Sequence, residues 1–173
     1  MKKSSTLIPF IYLFLIPVFS VLPMWGRNFA VDNYTLILND HPVYILPLLF
    51  NISWFLHALF VIGKRLRFER NWFVQCIVVY ILNLLVMMVS YGEETDLSSQ
   101  IHVFLGYAVF LWMSYLMFTL FQYYPKYRTI YYPGLLAILF VIMHYGCVNG
   151  IAEIIFTCIV SYSLYFKIGR AHV

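Results

Sequence analysis

The chain has 173 residues, of which 63% are hydrophobic, 20% aromatic and 10% charged, and its formal net charge is +4. A globule of that composition has too little polar surface to stay in water, which excludes a soluble enzyme or a soluble binding module. The positive balance comes from residues scattered between apolar stretches, so nucleic acid is not an expected partner.

A hydrocarbon core about 30 Å thick is crossed by ~20 helical residues rising about 1.5 Å each. Six apolar stretches meet that length, at about 6–25, 43–63, 72–91, 101–123, 133–147 and 148–166. The expected fold is an all-α, polytopic membrane bundle of six transmembrane helices, forming one domain over residues 1–167. The first stretch follows Lys2 and Lys3 but outruns a signal-peptide core and lacks a small-x-small cleavage site, so it reads as a retained span. Pro9, Pro17 and Pro23 predict kinks in it. The loop after it carries the sequon Asn33-Tyr34-Thr35, a glycosylation acceptor if that side is lumenal. Asn39-Asp40-His41-Pro42 is a polar turn before the second span, and Asn51-Ile52-Ser53 repeats the sequon inside that span, out of reach. Gly92-Glu93-Glu94-Thr95-Asp96 is an outer turn, Pro133-Gly134 is expected to open the fifth span, and 146–150 form a tight outer hairpin before the sixth. The last six residues, Ile168 to Val173, match the translation of a common sequencing adapter. They are expected to be foreign, with the natural chain continuing past Lys167.

Loop charge sets the orientation. Lys2, Lys3, Lys64, Arg65, Arg67, Arg70, Lys126, Arg128 and Lys167 fall on one side, and Arg27 alone falls on the other, with Asp32, Asp40, Glu93, Glu94 and Asp96. The positive-inside bias places both termini in the cytoplasm. Lys64, Arg65, Arg67 and Arg70, with Lys126 and Arg128 in the next inner loop, are candidate contacts for anionic lipid headgroups, although topological bias alone produces the same residues. Trp25, Trp72, Tyr91, Tyr123, Tyr124, Tyr127, Tyr131 and Tyr132 sit at span ends, where amphipathic rings anchor at the headgroups. Cys76, Cys147 and Cys158 form neither a disulfide framework nor a CxxC pair.

Polar side chains inside the membrane are costly and mark either function or a packed interior. His102 at the outer end of the fourth span, Glu153 a turn inside the sixth, His144 near the outer end of the fifth and His41 before the second form a candidate outward-facing polar site. His102 and Glu153 are expected to face the interior at similar depth and to pair directly or through water. His57 lies in the inner half of the second span and Asn83 midway along the third, where interhelical hydrogen bonds account for them. No nucleophile–base pair, metal motif or cofactor motif is present.

The chain resembles the DRAM-like group, the six-span family of damage-regulated autophagy modulators, Frag-type GPI-lipid remodelling proteins and Sfk-type proteins. The resemblance covers nearly all of residues 6–167. Its carriers are the six-span plan with a longer first outer loop, Leu49-Phe50-Asn51-Ile52 and the basic second loop. His102 with Gly106 and Tyr115, and Ala152-Glu153 opening an aromatic-rich sixth span, complete the set. The chain departs from the pattern in its four-residue step from His102 to Gly106 and in Ile154, where Trp usually follows the Glu. The resemblance implies a non-enzymatic, lipid-interacting regulator of autophagy, GPI-lipid remodelling or phosphoinositide and lipid organisation. It would reside in lysosomal, Golgi or plasma membrane, with membrane lipids and a membrane protein as candidate partners. The alternative is an intramembrane metal-dependent hydrolase or lipid-remodelling enzyme built on His102, His144 and Glu153. A proton-coupled transporter using Glu153 has less support, because no inverted repeat is visible.

Overall fold

The computed structural model describes residues 7–92 and 96–168, with side chains to Tyr165. Lys2, Lys3, Glu93, Glu94, the Lys167 side chain and the adapter-like tail from residue 169 lie outside the described residues. The described residues form helices and turns with no strand. In chain order the helices are α1 (Leu7–Met24), α2 (Tyr34–Asp40), α3 (Ile45–Leu66, entered through a 3-10 turn at Pro42–Tyr44), α4 (Arg70–Met88), α5 (Leu97–Tyr123), α6 (Arg128–Tyr145) and α7 (Gly150–Ile168).

By length and hydropathy α1, α3 with its entry turn, α4 and α5 can each cross a bilayer. At 27 residues α5 is about 40 Å long, more than the hydrocarbon needs. The last two helices, α6 and α7, have 18 and 19 residues. Apolar side chains point outward all along the bundle, with Met143 85% exposed, Phe104 72% and Phe140 69%. Water would not tolerate so much outward apolar surface, and a hydrocarbon solvent does. The chain is an integral membrane protein.

Three boundaries differ from the sequence expectation. The helix of the fifth expected span, α6, starts at Arg128, so Pro133 lies inside it. Its missing amide removes one bond near the N-terminus, and Gly134 beside it lets α7 approach until a Cβ there would overlap Ile159. The helix of the fourth expected span, α5, begins at Leu97, which puts His102 more than a turn inside it. The first outer loop, outside the six expected spans, contains α2.

Pro17 explains the irregular course of α1. The helix widens to a π turn at Ile11–Leu15, and the Ile16 amide bonds the Ile11 carbonyl, five residues back. The next amide in that register would belong to Pro17, which has none, so the Tyr12 carbonyl lacks a helical partner. Ser161 Oγ on α7 donates to it at 2.6 Å. In the bundle α7 packs along α6, α1 and α3, while α4 packs between α3 and α5. The core gathers Tyr12, Ile16, Leu59, Ile62, Leu116, Met117, Tyr131 and Leu164. Its two buried phenols are satisfied, Tyr12 by the Trp54 carbonyl at 3.1 Å and Tyr131 by Ser114 Oγ at 3.1 Å.

The basic turns meet at one end of the bundle. Phe68, between α3 and α4, packs edge-on against Tyr123 at the end of α5, with ring centroids 5.1 Å apart. Arg128 Nη2 donates to the Phe121 carbonyl at 3.2 Å, capping the C-terminus of α5.

Candidate functional site

At the opposite end, the segment after α1 folds back over the bundle and is tied down by polar residues. Asn33 caps α2, its Oδ1 accepting the Leu36 amide at 3.0 Å. The first amide of that helix, on Tyr34, donates to Glu153 Oε2 at 2.7 Å. Thr35 Oγ1 lies 2.9 Å from His102 Nε2, and His102 Nδ1 lies 3.1 Å from the Val89 carbonyl. A carbonyl only accepts, so Nδ1 carries the proton and Nε2 accepts from Thr35, and both ring nitrogens of a neutral imidazole are committed. Asn39 Nδ2 donates to the Tyr91 carbonyl at 2.8 Å, and Arg27 pairs with Asp40 at 3.1 Å.

The start of α7 is capped by the same loop. Gly150 and Ile151 donate to the Asp32 and Phe29 carbonyls at 2.7 and 3.2 Å. Asn149, fully buried, accepts the Ala152 amide through Oδ1 and donates from Nδ2 to the Ala30 carbonyl. The N-termini of α2 and α7 therefore satisfy each other, loop carbonyls serving α7 and the Glu153 carboxyl serving α2. Glycine suits position 150, since a Cβ there would press on the Asp32 carbonyl oxygen at 3.1 Å and displace the end of the Met24 side chain. Tyr34 continues inward, its hydroxyl donating to the Ser20 carbonyl at 2.8 Å. Burial holds that phenol well above its usual range, the Glu153 carboxyl adding to the effect, so it stays a donor.

His102 and Glu153 thus engage consecutive residues of α2, and among the described residues no hydrogen bond joins them to each other. His144 and His41 do not join them. His144 is exposed, stacked on Phe140 and edge-on to Tyr145. His41 ends α2, exposed, against Tyr44. Among the described residues no three His, Cys, Asp or Glu side chains are placed to hold a metal ion. Asn83, expected to bridge helices, bonds the Val79 carbonyl of its own helix at 2.9 Å. His57 is exposed against Trp54, and Asn51 is 2% exposed with Nδ2 toward the Ile16 carbonyl.

At the basic end Lys64, Arg65, Arg67, Arg70, Lys126 and Arg128 are all exposed, and among the described residues no carboxylate pairs with any of them. Arg67 sits at φ 55°, the left-handed residue that closes α3. Between α4 and α5 lies an open groove of about 500 Å³, lined by Gln75, Ala108, Leu111, Trp112 and Tyr115. Sequence reasoning found neither this groove nor the anchoring roles of Asn149 and Thr35. An Asn ahead of an apolar run was the available sign for Asn149. Comparison with known proteins returns no family model, no curated relative and no solved structure that matches the chain.

Proposed function

We propose that this protein is a non-enzymatic, lipid-interacting membrane regulator of the DRAM-like, Frag and Sfk type, crossing the bilayer six times with both termini in the cytoplasm. The observation that carries the lipid reading is the set of exposed cations at one end of an apolar bundle whose helices α4 and α5 leave an open groove between them. Gln75 lies five residues beyond Arg70 on α4, about 7.5 Å along its axis. An acidic phospholipid could rest its headgroup on Lys64, Arg65, Arg67 and Arg70 and lay an acyl chain against Ala108, Leu111 and Trp112. The polar residues at the other end support a non-enzymatic role, because His102 has both nitrogens engaged and Glu153 holds a helix amide.

Lipid retention after purification tests the reading. Each cation near an acidic surface contributes about 1 kcal/mol, so replacing all four by Gln should lower retained acidic phospholipid at least about tenfold. Neutral lipid should be unaffected. Ala108→Trp, which fills the groove, should lower both classes. Equal retention of acidic lipid by all three proteins would remove the proposal.

A further inference from the structure

All three residues of the sequon at 33–35 are used by the fold. Asn33 Oδ1 caps α2, the Tyr34 amide is bound by Glu153, and the Thr35 hydroxyl, 5% exposed, is bound by His102. A sequon is recognised through the Asn amide together with the hydroxyl two residues on. In the folded protein that hydroxyl is shut inside the bundle. The Asn33 Nδ2 atom, by contrast, takes no part in the cap, so a glycan attached there leaves the capping bond possible.

The partners that close the sequon are made late. His102 follows Thr35 by 67 residues, and Glu153 follows Tyr34 by 119. At about 5–20 residues per second, the loop waits roughly 6–24 s for Glu153 to be synthesised. We propose that Asn33 is an N-glycosylation site open only during this interval, and that docking of α2 onto His102 and Glu153 closes it. The reaction takes a lipid-pyrophosphate-linked oligosaccharide as donor. The sugar C1–O bond to pyrophosphate breaks, a C1–N bond to Asn33 forms, the amide gives up a proton, and the lipid pyrophosphate leaves.

The proposal rests on the orientation given above, which puts α2 in the lumen. Full-length chain made in a cell-free system with sealed microsomes provides the test. Glycan transfer is either allowed throughout, or blocked with a competing acceptor tripeptide and released by washing after synthesis ends. Wild-type protein should shift to a glycosidase-sensitive form in the first arm and stay unmodified in the second. The double variant His102→Ala/Glu153→Ala should accept the glycan in both arms, its late modification exceeding wild type by about tenfold or more, as loss of two buried hydrogen bonds implies. Glu153→Gln and Thr35→Ser retain the bonding groups and should behave as wild type, which separates undocking from general misfolding, and Asn33→Gln should never shift. Late modification of wild type equal to that of the double variant, or no modification of any variant in either arm, would overturn the inference. Cys147, exposed at the same end, separates the two failures. If a membrane-impermeant maleimide reaches it only after the vesicles are opened, the orientation stands and the sequon inference falls alone.

Discussion

Pro17 removes one amide from α1, and its consequence appears on another helix, where Ser161 Oγ, 149 residues beyond Tyr12, donates to the Tyr12 carbonyl. Ser161 is completely buried, so removing its hydroxyl leaves a carbonyl with no water to turn to. Ser161→Ala should cost about 1–3 kcal/mol of stability, the penalty for an unsatisfied buried acceptor. Pro17→Ala returns an amide in the register of the π turn, giving the same carbonyl a partner within its own helix. In a double-mutant cycle on thermal unfolding in detergent, the loss from Ser161→Ala should shrink by at least half in the Pro17→Ala background. An unchanged loss would mean that the two residues do not share the Tyr12 carbonyl. The sequence showed Pro17 as a kink, but nothing in it could point to Ser161, because the pairing depends on which helix lies alongside.

Helix packing depends on where the backbone can come close, and two helical glycines differ entirely in this respect. A Cβ on Gly63 would fall inside the Trp72 indole, whose Nε1 donates to the Leu59 carbonyl at 3.2 Å and whose ring meets Phe68. The indole is held by both contacts and cannot readily yield. Gly63→Ala should therefore destabilise the α3–α4 hairpin by about 1–3 kcal/mol, the usual cost of overpacking. Gly106, in the interior of α5, has nothing within 4 Å of the same position. There Ala should stabilise by about 0.5–1 kcal/mol through backbone entropy. Thermal unfolding of both variants, with shifts of opposite sign, checks the pair. Much of the element plan was legible, since apolar runs about 20 residues long declare themselves with no need of a partner. Helix α2 was not, because its seven residues are too few to show a period and Tyr34-Thr35-Leu36-Ile37-Leu38 favours a strand locally. Its helical form comes from the Asn33 cap and from Glu153 and His102, which are distant in sequence. The cost of polar residues in the membrane points to them in the sequence but not to their partners, since that cost is met equally by a side chain, a helix amide or a loop carbonyl. His144 shows the opposite outcome, an imidazole left on the surface against Phe140.

For the whole molecule the open choice is between four membrane crossings and six, and it turns on α6. Its first residue, Arg128, donates to the Phe121 carbonyl at the end where the basic turns meet. Beyond its last turn, Asn149 donates to the Ala30 carbonyl, and Gly150 to that of Asp32, in the loop that follows α1 at the other end. If α1 spans the bilayer, the two ends of α6 lie on opposite sides of it, and an 18-residue helix of about 27 Å nearly matches the hydrocarbon thickness. Two proteins with one exposed cysteine each decide the matter, both keeping the buried Cys76 and the partly buried Cys158. One retains Cys147, and the other carries Cys147→Ser with Lys126→Cys. In sealed microsomes an impermeant maleimide should label Lys126→Cys at once and Cys147 only after permeabilisation, because six crossings put these positions on opposite faces. A four-crossing protein, with α6 and α7 returning to the face they left, would label both at once. The same experiment carries the sign of the orientation, since the face that holds Lys126 also holds Lys64, Arg65, Arg67 and Arg70. Were that face lumenal, the cations would lie away from the acidic leaflet that their proposed role requires.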